Sequence, residues 1–250
     1  MGPAAAAAPR KCAAMIAWRN AAGERRERPG GEDMALNGKV QAATAGACGF
    51  DTSSAITAAL AQQFFSQGYR FCFRYISRGP ESASDLSGQE ASDILASGLA
   101  LMPVQHVRAS GWSPTGDLGQ QDGGGAAANA AAVGFPAAVN VWCDLEGVAA
   151  GTAAQAVIDY CQAWFDGVAA AGYLPGLYVG AQAILNGQQL LDLPFQHYWR
   201  SQSKVPDLPS RGYQLIQLLP SITVNGIGID VDVIQTDEEG GQAQWLVQGP

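Results

Sequence analysis

Residues 138–146 read AVNVWCDLE, and this stretch decides the fold. Side chains on a β-strand alternate between its two faces. One face therefore carries Asn140, Trp142, Asp144 and Glu146, and the other carries Val141, Cys143 and Leu145. The apolar face suits contact with a layer of helices, so the polar face is expected to point into a barrel or its mouth. The two acids stand at the C-terminal end of the strand, where barrel enzymes place their catalytic groups.

Short β-rich runs alternate with helical stretches around this strand, which is typical of βα units and a parallel sheet. Five units are predicted, with strands at 47–51, 70–76, 101–107, 138–144 and 175–180 and helices at 52–68, 85–98, 126–133, 152–171 and 181–186. Three further strands are predicted at 197–201, 213–217 and 227–234. Their spacing is shorter than the dozen or so residues that a parallel crossover needs, so loops or hairpins should join them. The predicted fold class is α/β, a TIM-like barrel of five βα units followed by three strands with short connections.

Composition changes at both ends of the chain. Residues 1–45 include an alanine run, a basic cluster at 25–28 and Pro29-Gly30-Gly31, and they are predicted to be a disordered or poorly structured extension. The barrel is predicted over 46–237 and a C-terminal tail over 238–250. The apolar run at 12–18 stops at Arg19, which is short for the core of a signal peptide. No apolar run approaches the length of a membrane span.

Charge and cysteine spacing exclude two kinds of partner. Beyond residue 33 the chain holds eight Lys/Arg and eighteen Asp/Glu. Such an acidic surface repels phosphate backbones, so nucleic acid is not expected as a partner. The five cysteines show no C-x-x-C spacing, and only His106 and His197 accompany them, so no metal or other cofactor is expected.

Acids on two other predicted strands point towards the same region as Asp144 and Glu146. Asp51 ends the first strand, and Asp230 and Asp232 share a face of the last one. Packed like charges raise one another's pKa and destabilise a fold unless a site uses a carboxylic acid beside a carboxylate. Cleavage of a glycosidic bond uses such a pair. Acids two apart on a strand have Cα atoms roughly 6.5–7 Å apart, which leaves retention and inversion of the anomeric centre open.

Each acid also has a structural interpretation. An acid at a strand end can cap the next helix or pair with an arginine, and Arg74 on the second strand is the candidate partner of Asp51. Capping needs one acid rather than two, which favours a functional role for Asp144 with Glu146. Of the two acids on the last strand, one is expected in the site and the other is expected to be structural.

Polar and aromatic residues near strand ends complete the candidate site, because they suit stacking on sugars and recognition of hydroxyl groups. They are Gln105, Trp112, Tyr178, Trp199 and Gln217, with Arg74 and Asp232 as further candidates for substrate binding. Core packing is the alternative for each aromatic residue. His106 shares its face with Met102 and Val104 and is expected to pack rather than to react.

Several short motifs occur in an order that resembles a known family. They are Gly49-Phe50-Asp51-Thr52-Ser53, Asp144-x-Glu146, Pro175-Gly176-Leu177-Tyr178, Gln214 to Gln217 and Ile229-Asp230-Val231-Asp232. Over about residues 46–236 the chain resembles the bacterial glycoside-hydrolase-like barrels catalogued as domain of unknown function 1906. It is more distantly similar to the family 25 glycoside hydrolases, the lysozymes that cleave peptidoglycan between N-acetylmuramic acid and N-acetylglucosamine.

The resemblance implies a role for each acid. Glu146 would be the general acid, and Asp144 would stabilise the oxocarbenium ion or an attacking N-acetyl group of the substrate. Asp51 and Asp230 would complete the acidic cluster. The lysozyme pattern usually carries Asn at the position of Asp232.

The sequence supports three hypotheses of function. The first is a monomeric glycoside hydrolase that acts on bacterial cell-wall, peptidoglycan-type or related glycan, for which a location outside the cytoplasm is expected. The second is a non-catalytic glycan-binding barrel of the cell envelope, which would keep the aromatic residues and not depend on Glu146. The third is an intracellular barrel enzyme acting on a small metabolite, which fits the odd number of cysteines and the short apolar run near the N-terminus.

Overall fold

Ten strands form one sheet in the structure, a computed structural model that describes residues 35–80 and 82–249. They are β1 (Gly38–Ala42), β2 (Cys48–Thr52), β3 (Phe71–Ile76), β4 (Ala100–Gln105), β5 (Asn140–Leu145), β6 (Leu174–Val179), β7 (His197–Ser201), β8 (Leu215–Val224), β9 (Ile227–Ile234) and β10 (Gln244–Gln248). Strands β2 to β9 close into a barrel in the order β4-β3-β2-β9-β8-β7-β6-β5, and pairing of β4 with β5 completes the ring. The predicted α/β TIM-like barrel is confirmed.

Helices follow strands β2 to β6 in turn. They are α1 (Ala58–Ser66), α2 (Gly88–Ala96), α3 (Gly116–Val133), α4 (Ala154–Ala170) and α5 (Gly187–Leu191). Because each helix returns the chain to the start of the next strand, the strands run parallel and their C-terminal ends gather at one mouth of the barrel. Within the described residues, no helix is long and apolar enough to cross a membrane.

A hairpin between β8 and β9 sets the direction of the last barrel strand. Its turn residues, Asn225 and Gly226, have φ values of 52° and 85°, and a tight two-residue hairpin turn requires such positive values. β9 therefore runs antiparallel to both β8 and β2. The first residues of β9 lie at the mouth of the barrel as a result, beside the C-terminal end of β2.

Alternation along the strands separates two layers of core. The outer layer lies between the strands and the helices and includes Val141, Cys143 and Leu145. The inner layer fills the barrel and includes Phe73, Trp142 and Trp199. The rings of Phe73 and Trp199 stack with their centroids 4.2 Å apart. The alternation predicted for residues 138–146 is thus confirmed.

The two ends of the described chain differ from the sequence prediction. β1 and β10 pair with each other in an antiparallel ladder, and Leu246 of β10 pairs with Leu101 of β4. Trp245 enters the inner core layer beside Phe71, with ring centroids 5.6 Å apart. The predicted unstructured extension over 1–45 and tail over 238–250 are therefore wrong for residues 38–42 and 244–248. Two short strands this far apart in sequence obtain most of their hydrogen bonds from each other, which no local pattern reveals. Residues 1–34 lie outside the described residues.

The glycine-rich segment at 116–125 forms the first half of α3 rather than a loop. The helix begins at Gly116, well before its predicted start at 126. Gly119 and Gly123 face α4, where a Cβ atom on them would lie 2.2 Å from the carbonyl oxygen of Tyr160 and 2.5 Å from that of Trp164. The glycines let the two helices pack backbone to backbone, and this contact offsets their low helix propensity.

The last helix also begins later than predicted. α5 spans Gly187–Leu191 instead of 181–186. The side chain of Asn186 accepts the N–H of Gln189 at 2.9 Å, and the side chain of Gln189 accepts the N–H of Asn186 at 3.0 Å. This reciprocal capping box fixes the start of a helix too short to show a periodic pattern.

We expect Gly123→Ala to destabilise the protein by about 1–3 kcal/mol, since its new methyl group would overlap the backbone of α4. Gly124→Ala is the matched control, because no atom lies within 4 Å of a Cβ built there. Its unfolding free energy should stay the same or rise by roughly 0.5–1 kcal/mol through higher helix propensity. Urea unfolding of both variants measures this, and equal stabilities would contradict the proposed helix contact.

Candidate active site

Three acids line one pocket at the mouth of the barrel. Asp144 lies at the end of β5, Glu146 follows it, and Asp230 belongs to β9. The pocket has a volume of about 300 Å³, and its walls also include Tyr178 and Trp199. No described Lys or Arg side chain lines it. We call it the acidic pocket.

Asp51 lies behind the wall of the acidic pocket, directly opposite Asp230 in the ladder between β2 and β9. Its carboxyl group accepts a hydrogen bond from Gln217 Nε2 at 2.7 Å and one from the Tyr75 hydroxyl at 3.3 Å. The Tyr178 hydroxyl donates to Gln217 Oε1 at 2.7 Å and so fixes which end of the amide faces Asp51. Burial raises the pKa of Asp51 to about 7, with a further increase from the charge of Asp230 that the bond from Gln217 opposes.

Asp144 and Glu146 differ in exposure. The side chain of Asp144 is buried, and its Oδ1 atom has no hydrogen-bond partner among the described residues. Burial raises its pKa well above the ordinary range, and the charges of Glu146 and Asp51 add to this. Glu146 is only partly buried, and burial followed by the charge of Asp230 raises its pKa as well. The pair therefore retains a proton at a higher pH than ordinary carboxyl groups do.

The backbone around Glu146 is held from two sides. Its carbonyl oxygen accepts a hydrogen bond from Trp112 Nε1 at 2.8 Å. On the other side, a Cβ atom at Gly180 would lie 2.3 Å from Glu146 Oε2. Gly180, directly after β6, thus leaves the space that this carboxyl group occupies.

The two acids of β9 take different positions, and the complete burial of Asp232 contradicts the substrate contact predicted for it. Asp230 lines the acidic pocket. Asp232 is fully buried, and its Oδ1 atom accepts a hydrogen bond from Trp199 Nε1 at 3.0 Å. Burial, followed by the charge of Asp51, raises the pKa of Asp232 well above the ordinary range, although the bond from Trp199 acts in the opposite direction. Asp232 therefore belongs to the floor of the site, out of reach of a bound ligand.

Three candidate binding residues lie outside the acidic pocket. Arg74 is fully buried in the outer layer, where its Nε atom binds Glu90 Oε1 at 2.6 Å rather than Asp51. Gln105 accepts a hydrogen bond from Trp164 Nε1 at 2.5 Å, between β4 and α4. Trp112 packs against Tyr160 and supports Glu146 only through its backbone. Substrate contact was therefore wrongly predicted for all three.

Strand parity explains two of these errors. Arg74 alternates with Phe73 and Tyr75, which face inward, and Gln105 alternates with the inward-facing Val104. Both side chains must therefore face the helices.

Neither histidine reaches the acidic pocket. The ring of His106 stacks on that of Tyr75, and its Nε2 atom lies 2.7 Å from Asp85 Oδ1. His197 is largely buried at the start of β7, and burial lowers its pKa to about 4.

Sequence reasoning missed five residues that line the acidic pocket, among them Tyr75 and Ser201. Tyr75 donates a hydrogen bond to Asp51, and Ser201 pairs with Gln217 in the ladder between β7 and β8. Both stand near the C-terminal end of a parallel strand with inward parity. The same rule that identified Asp144 therefore contained the signal for them.

The described residues include no group of three or more His, Cys, Asp or Glu side chains arranged to hold a metal ion. Asp51 and Asp232 accept hydrogen bonds from Gln217, Tyr75 and Trp199 instead.

The fold is a barrel, and its mouth presents carboxyl groups and aromatic rings. These two features place the protein in the class of glycoside-hydrolase-like barrels. A family model described as the Rv2525c-like, glycoside hydrolase-like domain matches residues 62–234. The chain belongs to this family. No curated protein matches it.

Solved structures share the fold at low sequence identity. The Tat-secreted protein Rv2525c of Mycobacterium tuberculosis, in complex with HEPES, has a TM-score of 0.58 and 19% identity over 78% of this chain and 98% of that chain. A bacterial lysozyme from Streptomyces coelicolor has a TM-score of 0.51 and 12% identity over 77% and 93%. A family 25 glycosyl hydrolase from Bacillus anthracis has a TM-score of 0.50 and 15% identity over 77% and 90%. The resemblance inferred from the sequence is thereby confirmed.

We expect the free energy of unfolding to fall as the pH rises from about 4 to about 7. An unfolded Asp51 releases its proton near pH 4, whereas the folded protein holds it until about pH 7. The folded state therefore binds more protons than the unfolded state over this window, and raising the pH favours unfolding. Asp144, Glu146 and Asp232 act in the same direction. His197, whose pKa is lowered to about 4, acts in the opposite direction with a smaller effect than the four carboxyl groups together.

Asp51→Asn should reduce the slope of stability against pH, since the amide has no proton to release. Urea unfolding at several pH values measures that slope. Asp166→Asn, which changes an exposed carboxylate on α4, should leave it as in the wild type. An unchanged slope in Asp51→Asn would contradict the assignment of a raised pKa to this residue.

Proposed function

We propose that the protein hydrolyses glycosidic bonds of bacterial cell-wall, peptidoglycan-type or related glycan by carboxylate acid–base chemistry. The observation that carries the proposal is the pair of Asp144 and Glu146, which share a pocket with Asp230 and with no described basic side chain. Glycosidic cleavage needs one carboxyl group that donates a proton and another that bears negative charge. The family assignment supports this class of reaction, and the lysozyme among the structural neighbours supports a cell-wall glycan as substrate.

Glu146 is the general acid in this proposal. It is the more exposed of the pair and lines the pocket, so its proton can reach the oxygen of a leaving sugar. Its raised pKa keeps that proton in place to a higher pH than in an ordinary glutamate. Cleavage moves the proton from Glu146 to the leaving oxygen as the bond to the anomeric carbon breaks.

Asp144 is the charge-stabilising group. Positive charge develops at the anomeric carbon as the leaving group departs, and that charge favours the ionised form of a nearby carboxyl group. With the proton of the pair on Glu146, an ionised Asp144 stabilises the oxocarbenium-like centre or orients an N-acetyl group that attacks it. Water then adds to the anomeric carbon and returns a proton to Glu146. Coulombic repulsion from Asp51 raises the pKa of Asp144, and that from Asp230 raises the pKa of Glu146.

Substrate binding is assigned to Tyr178, Trp199 and Gln217, which line the acidic pocket. The rings of Tyr178 and Trp199 meet edge to face with centroids 4.5 Å apart, and they offer an apolar wall for the C–H face of a sugar. Gln217 bridges Tyr178 and Asp51 through hydrogen bonds. A sugar hydroxyl that binds Gln217 would therefore join a network that includes both residues.

Glu146→Gln should lower the turnover of purified peptidoglycan by about 10²–10⁴-fold, because glutamine cannot donate the proton. Mass spectrometry of the released products, together with a reducing-end assay, measures this. The matched control is Glu238→Gln, an exposed residue outside the pocket that should keep wild-type turnover. If the wild type releases no products from peptidoglycan or other glycans, or if Glu146→Gln is fully active, the proposal is wrong. Equal glycan binding by both without turnover would indicate a binding protein instead.

Gly180→Ala should lower kcat tenfold or more with little effect on KM. The added methyl group would lie 2.3 Å from Glu146 Oε2 and displace the carboxyl group, and small displacements of a catalytic group cost activity steeply. Gly228→Ala is the control, since a Cβ built on this glycine of β9 meets no atom within 4 Å. Wild-type kinetics in Gly180→Ala would show that the position of Glu146 does not limit the reaction.

A further inference from the structure

A second pocket opens at the same end of the barrel, where the segments after β3 and β4 meet α3. Its volume is about 380 Å³, which is large enough for one sugar ring or a substituent. Its walls include Ser77, Asp85, His106, Arg108 and Asp122. Unlike the acidic pocket, it is lined by arginine side chains.

The two pockets lie on either side of one pair of rings. Tyr75 lines the acidic pocket, His106 lines the second pocket, and their rings stack at 4.7 Å with an angle of 22° between the planes. A chain of sugars that crosses this pair would contact both pockets. The second pocket is therefore positioned as a neighbouring part of one binding cleft.

A buried carboxylate orients His106 in the second pocket. The Asp85 side chain is 2% exposed, that of His106 is 35% exposed, and Asp85 Oδ1 lies 2.7 Å from His106 Nε2. Asp85 Oδ2 accepts hydrogen bonds from the hydroxyl of Ser77 and the backbone N–H of Ser82. Burial alone would raise the pKa of Asp85, but the bonds from Ser77 and His106 outweigh it and lower the pKa. Asp85 is thus ionised, and it holds an imidazole N–H that faces away from solvent while the rest of the ring faces the pocket.

Arg108 is held in the same manner by a second buried carboxylate. Its Nε and Nη2 atoms bind the two oxygens of Asp122 at 2.9 and 2.7 Å, and the Tyr160 hydroxyl also donates to Asp122 at 2.9 Å. The Asp122 side chain is 1% exposed, whereas that of Arg108 is 25% exposed. A guanidinium group has five N–H donors, so donors remain on the exposed edge of Arg108, fixed in place before a ligand arrives. Arg78 adds a second guanidinium group to the wall.

We infer that the second pocket binds a carboxylate group carried by the glycan whose scissile bond lies in the acidic pocket. Fixed guanidinium donors match the planar geometry of a carboxylate. The acidic pocket repels such a group, so an anionic substituent of the substrate must lie elsewhere in the cleft. The second pocket offers it donors one ring pair away. This inference rests on the proposed function, which identifies the ligand as a cell-wall glycan.

The test is a binding measurement that does not require turnover. The full chain carrying Glu146→Gln is titrated with the disaccharide N-acetylglucosaminyl-N-acetylmuramic acid, whose lactyl group has a free carboxylate, and with its methyl ester. We expect the acid to bind about tenfold more tightly than the ester and to shift the NMR signals of the Arg108 Nε–H group and the His106 ring. A muropeptide, in which the free carboxylates belong to the peptide, shows whether the sugar or the peptide supplies the group.

Variants of the second pocket localise the effect. Arg108→Gln should abolish the preference for the acid and leave binding of the ester unchanged. Arg108→Gln leaves Asp122 without its salt bridge and can unfold the protein for that reason. Arg78→Gln removes no salt bridge to a described residue, so it tests the pocket separately and should reduce the preference for the acid. Arg70→Gln is the matched control, because Arg70 binds the carbonyl oxygens of Phe65 and Tyr69 at the opposite end of β3.

Three results would overturn the inference. They are equal affinity for acid and ester, a preference that survives in both pocket variants, and absence of binding by either probe. Hydrolysis by the wild type is assayed separately. A carboxylate preference without hydrolysis would remove the proposed function and keep the second pocket as a binding site, so the two failures are distinguishable.

Discussion

The antiparallel pairing of β2 with β9 joins the first strand of the barrel to the last and brings the acids of these two strands together. The Asn225-Gly226 turn reverses the chain, so β9 enters beside β2 and places Asp230 opposite Asp51 and Asp232 opposite Gly49. A slip of one residue would turn both acids towards the outside and their apolar neighbours inward. Like charges opposite each other destabilise a sheet. Closure of this barrel therefore depends on neutralising the repulsion, through the donors Gln217, Tyr75 and Trp199 and through retained protons.

The small number of hydrogen-bond donors also explains why the pKa values of these acids are raised. Gln217 and Trp199 supply single hydrogen bonds to Asp51 and Asp232, and Asp144 Oδ1 has no partner among the described residues. A buried carboxyl group without a cation keeps its proton, because ionisation without a partner is costly. The aromatic floor of Phe73, Trp142 and Trp199 excludes water and maintains that condition. The buried acids at the mouth of the barrel destabilise the fold, and packing in the outer core layer compensates for this. Such a distribution of stability is common at functional sites.

Strand parity and strand ends predicted several of the residues that line the acidic pocket. What they could not predict has identifiable causes. Asp51, Asp144 and Tyr178 all face the barrel interior near the C-terminal end of a strand. The same rule, applied to β3, identifies Tyr75 and excludes Arg74. The pairing of β1 with β10 could not be predicted, because it joins segments about 200 residues apart without a local signal. The start of α3 was missed because Gly119 and Gly123 stabilise the helix through close packing against α4. A helix-propensity scale does not include such a contact.

The two pockets show how one residue type acquires opposite chemistry within a single barrel mouth. Asp85 and Asp122 are as deeply buried as Asp144, yet each is bound by a cationic or imidazole donor. Each of these side chains orients its partner through a charge-assisted or imidazole hydrogen bond, and for Asp85 the bonds from Ser77 and His106 also lower the pKa. Asp144 and Glu146 lack such a partner and keep a proton that can be transferred. The boundary between the two environments is the stacked pair of Tyr75 and His106, where Tyr75 donates to Asp51 and His106 pairs with Asp85. A ligand lying across that boundary would meet proton donors on one side and fixed cationic donors on the other, which suits a sugar chain whose anionic group is offset from the bond to be broken.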